Sequence, residues 1–307
     1  MKYLITLLFS FSLFAQNNTL INQEITINRH IDGTLVQPQS VDNQQLAIII
    51  AGSGPTDRDG NQNFMKNNSL KKLAEGLSEE GIATFRYDKR TVKQIRTGNV
   101  DENIMFDDFV TDAISVIQFF KEKYSFSKIY IIGHSQGSLV GMLAAYNESV
   151  DGFVSLAGAG KSIDQVLIDQ IDRTAPQFNE DAQRVFGILR EGNTTDDYPV
   201  ALASIFNKGV QSFISNWMQY DPQEVIRSLE IPLLIVNGTK DLQVLPEEAQ
   251  LLSDSAAKSE LVIIDKMNHI LVPIEGDDLE NSKSYNESQR ELSPELITKI
   301  SKFILNN

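Results

Sequence analysis

Apolar and polar positions along this chain fall into a strand–helix rhythm. Leu46 to Ala51 is a continuous apolar run ended by Gly52, the pattern of a strand buried on both faces of a parallel sheet. Leu70, Leu73, Ala74 and Leu77 then recur at helical spacing, and Gly81 closes that helix. Ile82–Tyr87 is again strand-like. Phe106, Phe109, Val110, Ala113, Ile117 and Phe120 form a second helical stripe. Lys128–Ile132 predicts a strand, Ser135 to about Tyr146 a helix, and Phe153–Leu156 another strand. Pro232–Val236 and Leu261–Ile264 are two more strand-like runs. Ser293-Pro294-Glu295 opens a last helix with a capping residue, a proline and an acid in the first turn. Upstream of this series, Ile25 and Ile27 alternate with polar residues, and Asp32-Gly33 predicts a tight turn before Thr34-Leu35-Val36, hence a β-hairpin. Alternation of this kind predicts an α/β fold with a mostly parallel sheet flanked by helices.

One stretch breaks the rhythm. Between Gly160 and Ile231 there is no strand signal. Ile163, Val166, Leu167 and Ile171 predict one helix, Ala182, Val185, Phe186 and Leu189 a second, and the segment from about Val200 through Trp217 a third. The expectation is a helical cap over residues 161–230, inserted between two parts of one core domain, residues 16–160 and 231–307. Gly276–Glu291 is acid-rich and reads as a solvated surface loop.

The remaining segment is the N-terminus. Met1-Lys2 is followed by an apolar run from Tyr3 to Phe14, too short to span a bilayer, and then by Ala15-Gln16. This predicts a signal peptide over residues 1–15 and a periplasmic or secreted protein without membrane insertion after cleavage; an uncleaved anchor or a buried first strand is the alternative.

Composition narrows the chemistry. The 307 residues are 41% hydrophobic, enough for one large core, and 22% are charged. The net charge of −14 disfavours nucleic acid and anionic lipid as partners. With no cysteine, disulfides, thiolate metal ligands and cysteine nucleophiles are excluded, and no metal or organic cofactor is expected.

The sharpest motif is Gly133-His134-Ser135-Gln136-Gly137, placed between a predicted strand and a predicted helix, the context a G-x-S-x-G nucleophile elbow requires. In that turn the serine hydroxyl is lifted above the sheet, and the next N–H, on Gln136, lies at a helix N-terminus where it can stabilise an oxyanion. A serine needs a base. Only three histidines exist. His134 lies inside the elbow and reads as structural. His30 lies in the hairpin. His269 follows the Leu261–Ile264 strand and is the candidate base. The orienting acid comes between serine and histidine in chain order. Asp241, directly after the Pro232–Val236 strand, is the candidate; Asp265 and Asp254 are its rivals. The second oxyanion donor is expected from the loop Gly52–Gly60, with the Ser53 N–H as candidate. Within that loop, Asp57, Arg58 and Asp59 form either an ion-paired brace or a solvated surface. Phe213 and Trp217, four apart, present one apolar stripe. Trp217, the only tryptophan, is a candidate wall of an acyl or aryl pocket over Ser135, or else cap core.

The Gly52–Gly60 loop, Arg86-Tyr87-Asp88-Lys89-Arg90, the elbow, and Trp217–Pro222 leading into Gly238-Thr239-Lys240-Asp241 resemble carboxylesterases of the α/β-hydrolase superfamily, near its serine aminopeptidase-like and feruloyl/cinnamoyl esterase-like branches. The resemblance covers nearly all of the chain after the signal segment. It implies the α/β-hydrolase fold, a triad of Ser135, Asp241 and His269, an oxyanion hole from Ser53 and Gln136, and cleavage of small-molecule carboxylic esters through an acyl-enzyme, with aminopeptidase activity as the alternative. Carboxylates of the cap, Glu180, Asp181, Asp196 and Asp197, would favour that alternative if they faced the pocket. The chain departs from the family pattern at Thr91, where relatives often carry Gly, and at Ala51, where they often carry His. Ala51 has no side-chain donor, so the oxyanion loop must be held by another group.

Overall fold

The computed structural model of the protein describes residues 19–39 and 44–307; the expected signal peptide, residues 1–15, lies outside them. One eight-stranded sheet organises these residues. Its strands are β1 (Leu20–Thr26), β2 (Asp32–Pro38), β3 (Leu46–Ile50), β4 (Ala83–Tyr87), β5 (Ile129–His134), β6 (Gly152–Leu156), β7 (Leu233–Gly238) and β8 (Glu260–Ile264). They lie in the order β1-β2-β4-β3-β5-β6-β7-β8. The β1–β2 and β2–β4 pairings are antiparallel and all others parallel.

Twelve helices of the described residues connect and cover the sheet: α1 (Ser69–Glu79), α2 (Arg90–Thr97), α3 (Phe106–Lys123), α4 (Gln136–Asn147), α5 (Ile163–Thr174), α6 (Asn179–Arg190), α7 (Ala203–Phe206), α8 (Lys208–Trp217), α9 (Pro222–Arg227), α10 (Pro246–Ser255), α11 (Asp278–Ser284) and α12 (Pro294–Asn306). None is long and apolar enough to cross a membrane.

The continuous apolar runs are explained by burial on both faces. In β3, Leu46, Ile48 and Ile50 enter one core with Phe106, Phe120 and Ile226, while Ala47 and Ile49 enter the opposite core with Leu73, Leu77, Ile300 and Ile304. This is the expected α/β-hydrolase architecture, with its N-terminal hairpin and its helical insertion between β6 and β7. The insertion has a core of its own, centred on Val185, Phe186, Leu189 and Phe206.

Three local expectations need correction. The hairpin turn falls at residues 27–31, closed by Ile27 N–H to Ile31 O and by the Asn28 side chain, and Asp32-Gly33 begins β2 instead. Gly33 is required there by packing: a Cβ would lie 2.2 Å from Cζ of Phe85. The predicted third cap helix is broken into a 3₁₀ turn at Val200–Leu202, α7 and α8, because the chain turns extended at Asn207. Finally, Gly276–Glu291 is not merely a surface loop. It contains α11, whose first turn is capped by the Asp277 carboxylate accepting from Leu279 and Glu280 N–H groups.

Candidate active site

β5 delivers the elbow. Ser135 has φ 55° and ψ −121°, a backbone conformation that L-residues rarely hold, and α4 begins at the next residue. The flanking glycines are dictated by contact rather than by that strain. A Cβ on Gly133 would lie 2.2 Å from the Gly137 carbonyl oxygen, and one on Gly137 would lie 2.3 Å from the Ile50 oxygen. The turn is pinned by Ser135 N–H donating to Leu156 O at 2.8 Å on the neighbouring strand.

β7 and β8 deliver the other two groups. His269 Nδ1 donates to Asp241 Oδ2 at 2.7 Å, and both side chains are buried. The second Asp241 oxygen accepts from the Gln243 and Val244 N–H groups at 2.8 and 2.9 Å, which fixes the carboxylate plane. The rivals are engaged elsewhere. Asp265 accepts from Thr239 Oγ1, and Asp254 from Gln250.

The His269 loop is clasped from two sides. His134 Nε2–H donates to the His269 carbonyl at 2.8 Å. Burial, with His269 close by, lowers the His134 pKa to about 4, so this imidazole is a neutral strut. On the other side Asn268 Nδ2 donates to Asn281 Oδ1 and Ser284 Oγ of α11, and Asn281 Nδ2 donates to Lys240 O beside Asp241. The segment read as a solvated loop therefore braces the bases of both the acid and histidine loops.

Two cavities meet at Ser135. The larger, about 380 Å³, runs beneath the cap; Ser53, Ser135 and Gln136 form its floor, and Phe213, Ile214 and Trp217 are among its walls. The smaller, about 90 Å³, is lined by Ser53, Ser135 and His269, with Asn67, Gln243 and Tyr285 adding polar groups. Burial raises the Tyr285 phenol to about 12, so it stays protonated while accepting from Gln243. Sequence reasoning missed Tyr285, because it sits in the segment read as a loop.

Among the described residues no carboxylate lines the larger cavity. The one charged side chain among those lining residues, Lys161, is paired with Asp169 at 2.6 Å and lies 3.6 Å from Glu248. Glu180, Asp181, Asp196 and Asp197 do not line it. Asp181 and Asp197 pair with Arg184, and Asp196 with Lys208, on the outer surface of the cap.

The loop that carries Ser53, Gly52–Gly60, is held in two layers. The ion-paired brace exists: Arg58 bonds Asp88 and Glu24, and Arg86 bonds Asp59. Nearer the serine, Lys89 Nζ donates to Gly52 O at 2.9 Å and to Gln136 Oε1 at 2.7 Å. Lys89 thus supplies to Gly52 a side-chain donor of the kind that Ala51 lacks. The sequence marks Lys89 only as a member of the Arg86–Arg90 motif and not by this role, since its partners lie 37 and 47 residues away.

A family model described as serine aminopeptidase, S33 (Hydrolase_4) matches residues 66–198. Esterase EstD of Thermotoga maritima is 24% identical over 265 residues, which is 83% of this chain and 61% of EstD, so the chain spans less than two thirds of that relative. Est1E from Butyrivibrio proteoclasticus superposes with a TM-score of 0.58 at 17% identity, over 93% of this chain and 99% of Est1E. Est1E with ferulic acid bound gives 0.59 at 18% identity, over 93% and 100%. Sheet order and elbow give the chain the α/β-hydrolase fold, and the chain is similar to the S33 serine aminopeptidase family over residues 66–198 and to esterase EstD over most of its length.

Proposed function

We propose that the protein is a serine esterase in which Ser135 is the nucleophile, His269 the base and Asp241 the orienting acid. The observation that carries this reading is the buried Asp241–His269 hydrogen bond beside a serine held at positive φ, all at the junction of two cavities. With its Nδ1–H committed to Asp241, the neutral His269 ring has Nε2 available as acceptor. Ser135 Oγ attacks the ester carbonyl carbon and its proton passes to His269. The acyl carbon–alkoxy oxygen bond then breaks, and the departing oxygen takes that proton. Water repeats the cycle, releasing the carboxylic acid and free Ser135. The Ser53 and Gln136 N–H groups are the proposed oxyanion donors; the first N–H groups of a helix have no partner within it.

The two cavities support a division of labour. A leaving oxygen must reach His269, which lines the smaller polar cavity, so the alcohol is assigned there. The acyl group is assigned to the larger apolar cavity under Phe213 and Trp217. The proposed substrate is an ester of an apolar or aryl acid with a small polar alcohol. The matched S33 family raises aminopeptidase activity as the competing reading. A free ammonium group would need a carboxylate to receive it, and the described residues that line the larger cavity offer none. A panel of aryl and alkyl esters beside aminoacyl anilides tests this choice. Esters are expected to be cleaved with kcat/KM at least about 100-fold above anilides; the reverse order would replace the esterase reading.

The N-terminal segment supports export of the chain. The exported protein is expected to begin at Gln16 by N-terminal mass spectrometry, and a product retaining Met1–Ala15 would refute it.

A further inference from the structure

Lys89 is a buried ammonium at the centre of the proposed oxyanion machinery, and the catalytic cycle outlined above gives it no role. Its Nζ makes two hydrogen bonds, to Gly52 O and Gln136 Oε1, and lies 4.2 Å from the centroid of the Phe109 ring. These two acceptors belong to the two segments that carry the proposed donors. Gly52 C=O and Ser53 N–H form one planar trans peptide and therefore point in opposite directions. Holding the carbonyl against Lys89 turns the Ser53 N–H away from Lys89, and Ser53 shares both cavities with Ser135. Gly52 packs so closely that a Cβ there would lie 3.1 Å from the Ser135 Cβ. At the other end, the Gln136 side chain is buried and is anchored by the same ammonium.

We propose that Lys89 is a positioning residue that clamps the two oxyanion donors at a fixed separation, acting on the tetrahedral intermediate without touching it. This rests on the reading of Ser135 as nucleophile with Ser53 and Gln136 as donors. The π face of Phe109 receives the side of the ammonium left free by its two acceptors. Burial lowers the Lys89 pKa to about 7 against the upward pull of Asp112, which is itself paired with Arg90. Either protonation state retains two N–H groups for the two acceptors.

The test is Lys89→Met, which keeps the length of the side chain and removes its donors, measured beside Ser135→Ala and Gln136→Leu. Lys89→Met is expected to lower kcat about 10- to 100-fold with KM within about twofold, the signature of an interaction made only in the transition state. Affinity for an aryl trifluoromethyl ketone, which forms a tetrahedral adduct, should fall by a similar factor, while affinity for the carboxylate product stays the same. Gln136→Leu cuts the same link from the other end; it should lower kcat, and its effect should not add to that of Lys89→Met. Should Lys89→Met fail to fold, Gln136→Leu carries the kcat and ketone measurements. Wild-type kcat in the folded variants, or a loss confined to KM, overturns the clamp. If Ser135→Ala is inactive at the same time, the esterase reading survives that failure. If Ser135→Ala is active, the reading beneath the clamp is what has failed.

Discussion

The indole of Trp217 lies flat on the ring of Phe106, with centroids 5.3 Å apart and planes 7° from parallel. Phe106 opens α3 and Trp217 closes α8 of the cap, so this stacked pair, with Phe213 edge-on to Phe106 and Phe109, docks the insertion. The contact is reinforced by polar groups: Asp107 accepts from Asn216 Nδ2 at 3.0 Å and from Tyr220 OH at 2.6 Å. Trp217 also lines the larger cavity. Trp217 thus packs against α3 and also faces the cavity that Ser135 lines.

Trp217→Ala is therefore expected to act twice. Loss of the stacked ring should destabilise the protein by roughly 3 kcal/mol. It should also shift relative kcat/KM between short alkyl and aryl acyl esters by about 1–3 kcal/mol, the scale of a hydrophobic pocket contact. Thermal melting and an acyl series separate the two effects. A lower Tm with unchanged acyl preference would leave Trp217 as a docking residue alone.

His134 makes stability depend on pH in a defined window. Its folded pKa, about 4, lies below the ordinary value of 6.5, so below pH 6.5 the unfolded chain takes up a proton that the folded chain refuses. Stability from this group is complete above about pH 6.5, is lost as pH falls towards 4, and then levels. At about 1.4 kcal/mol per pH unit the full loss is roughly 3 kcal/mol. Urea unfolding of wild type and His134→Asn at pH 7.5 and 4.5 measures it. The wild type should lose more stability between the two pH values than the variant; an equal loss in both would remove His134 as the cause.

Gly137→Ala probes the elbow without touching a reacting group. The added methyl meets Ile50 O at 2.3 Å, a backbone atom of a central strand that cannot swing aside. Destabilisation of at least about 1–3 kcal/mol is expected, with loss of activity as β3 and α4 separate. An unchanged Tm would contradict the packing described for the turn.

How much of this was legible in the sequence follows from how each part is stabilised. β3, β5 and β7 are buried on both faces and show as apolar runs; α1 and α3 bury one stripe each and show their period. α2 and α11 went unread because polar contacts hold them: Arg90 of α2 pairs with Asp108 and Asp112, and α11 is fixed through Asn281 and Ser284. α10, the helix that carries Asp254, is marked in the sequence by Pro246 at its first position followed by Glu247 and Glu248. Ser135, Asp241 and His269 were legible as candidates because each sits just after a strand. Lys89 and Tyr285 were not, since their roles depend on partners that only the folded chain brings near. Gly33 was misread because a glycine demanded by packing against Phe85 looks, in sequence, like one demanded by a turn.

The central claim, that Ser135 is an activated nucleophile, is tested most directly by intact-mass spectrometry after exposure to a fluorophosphonate. The wild-type protein is expected to gain one phosphonyl group at Ser135, located by peptide mapping, with activity lost in step with labelling. Ser135→Ala should fold, remain unlabelled, and turn over esters several powers of ten more slowly. Labelling at another serine, or an unlabelled wild-type enzyme that still cleaves esters, would contradict the account.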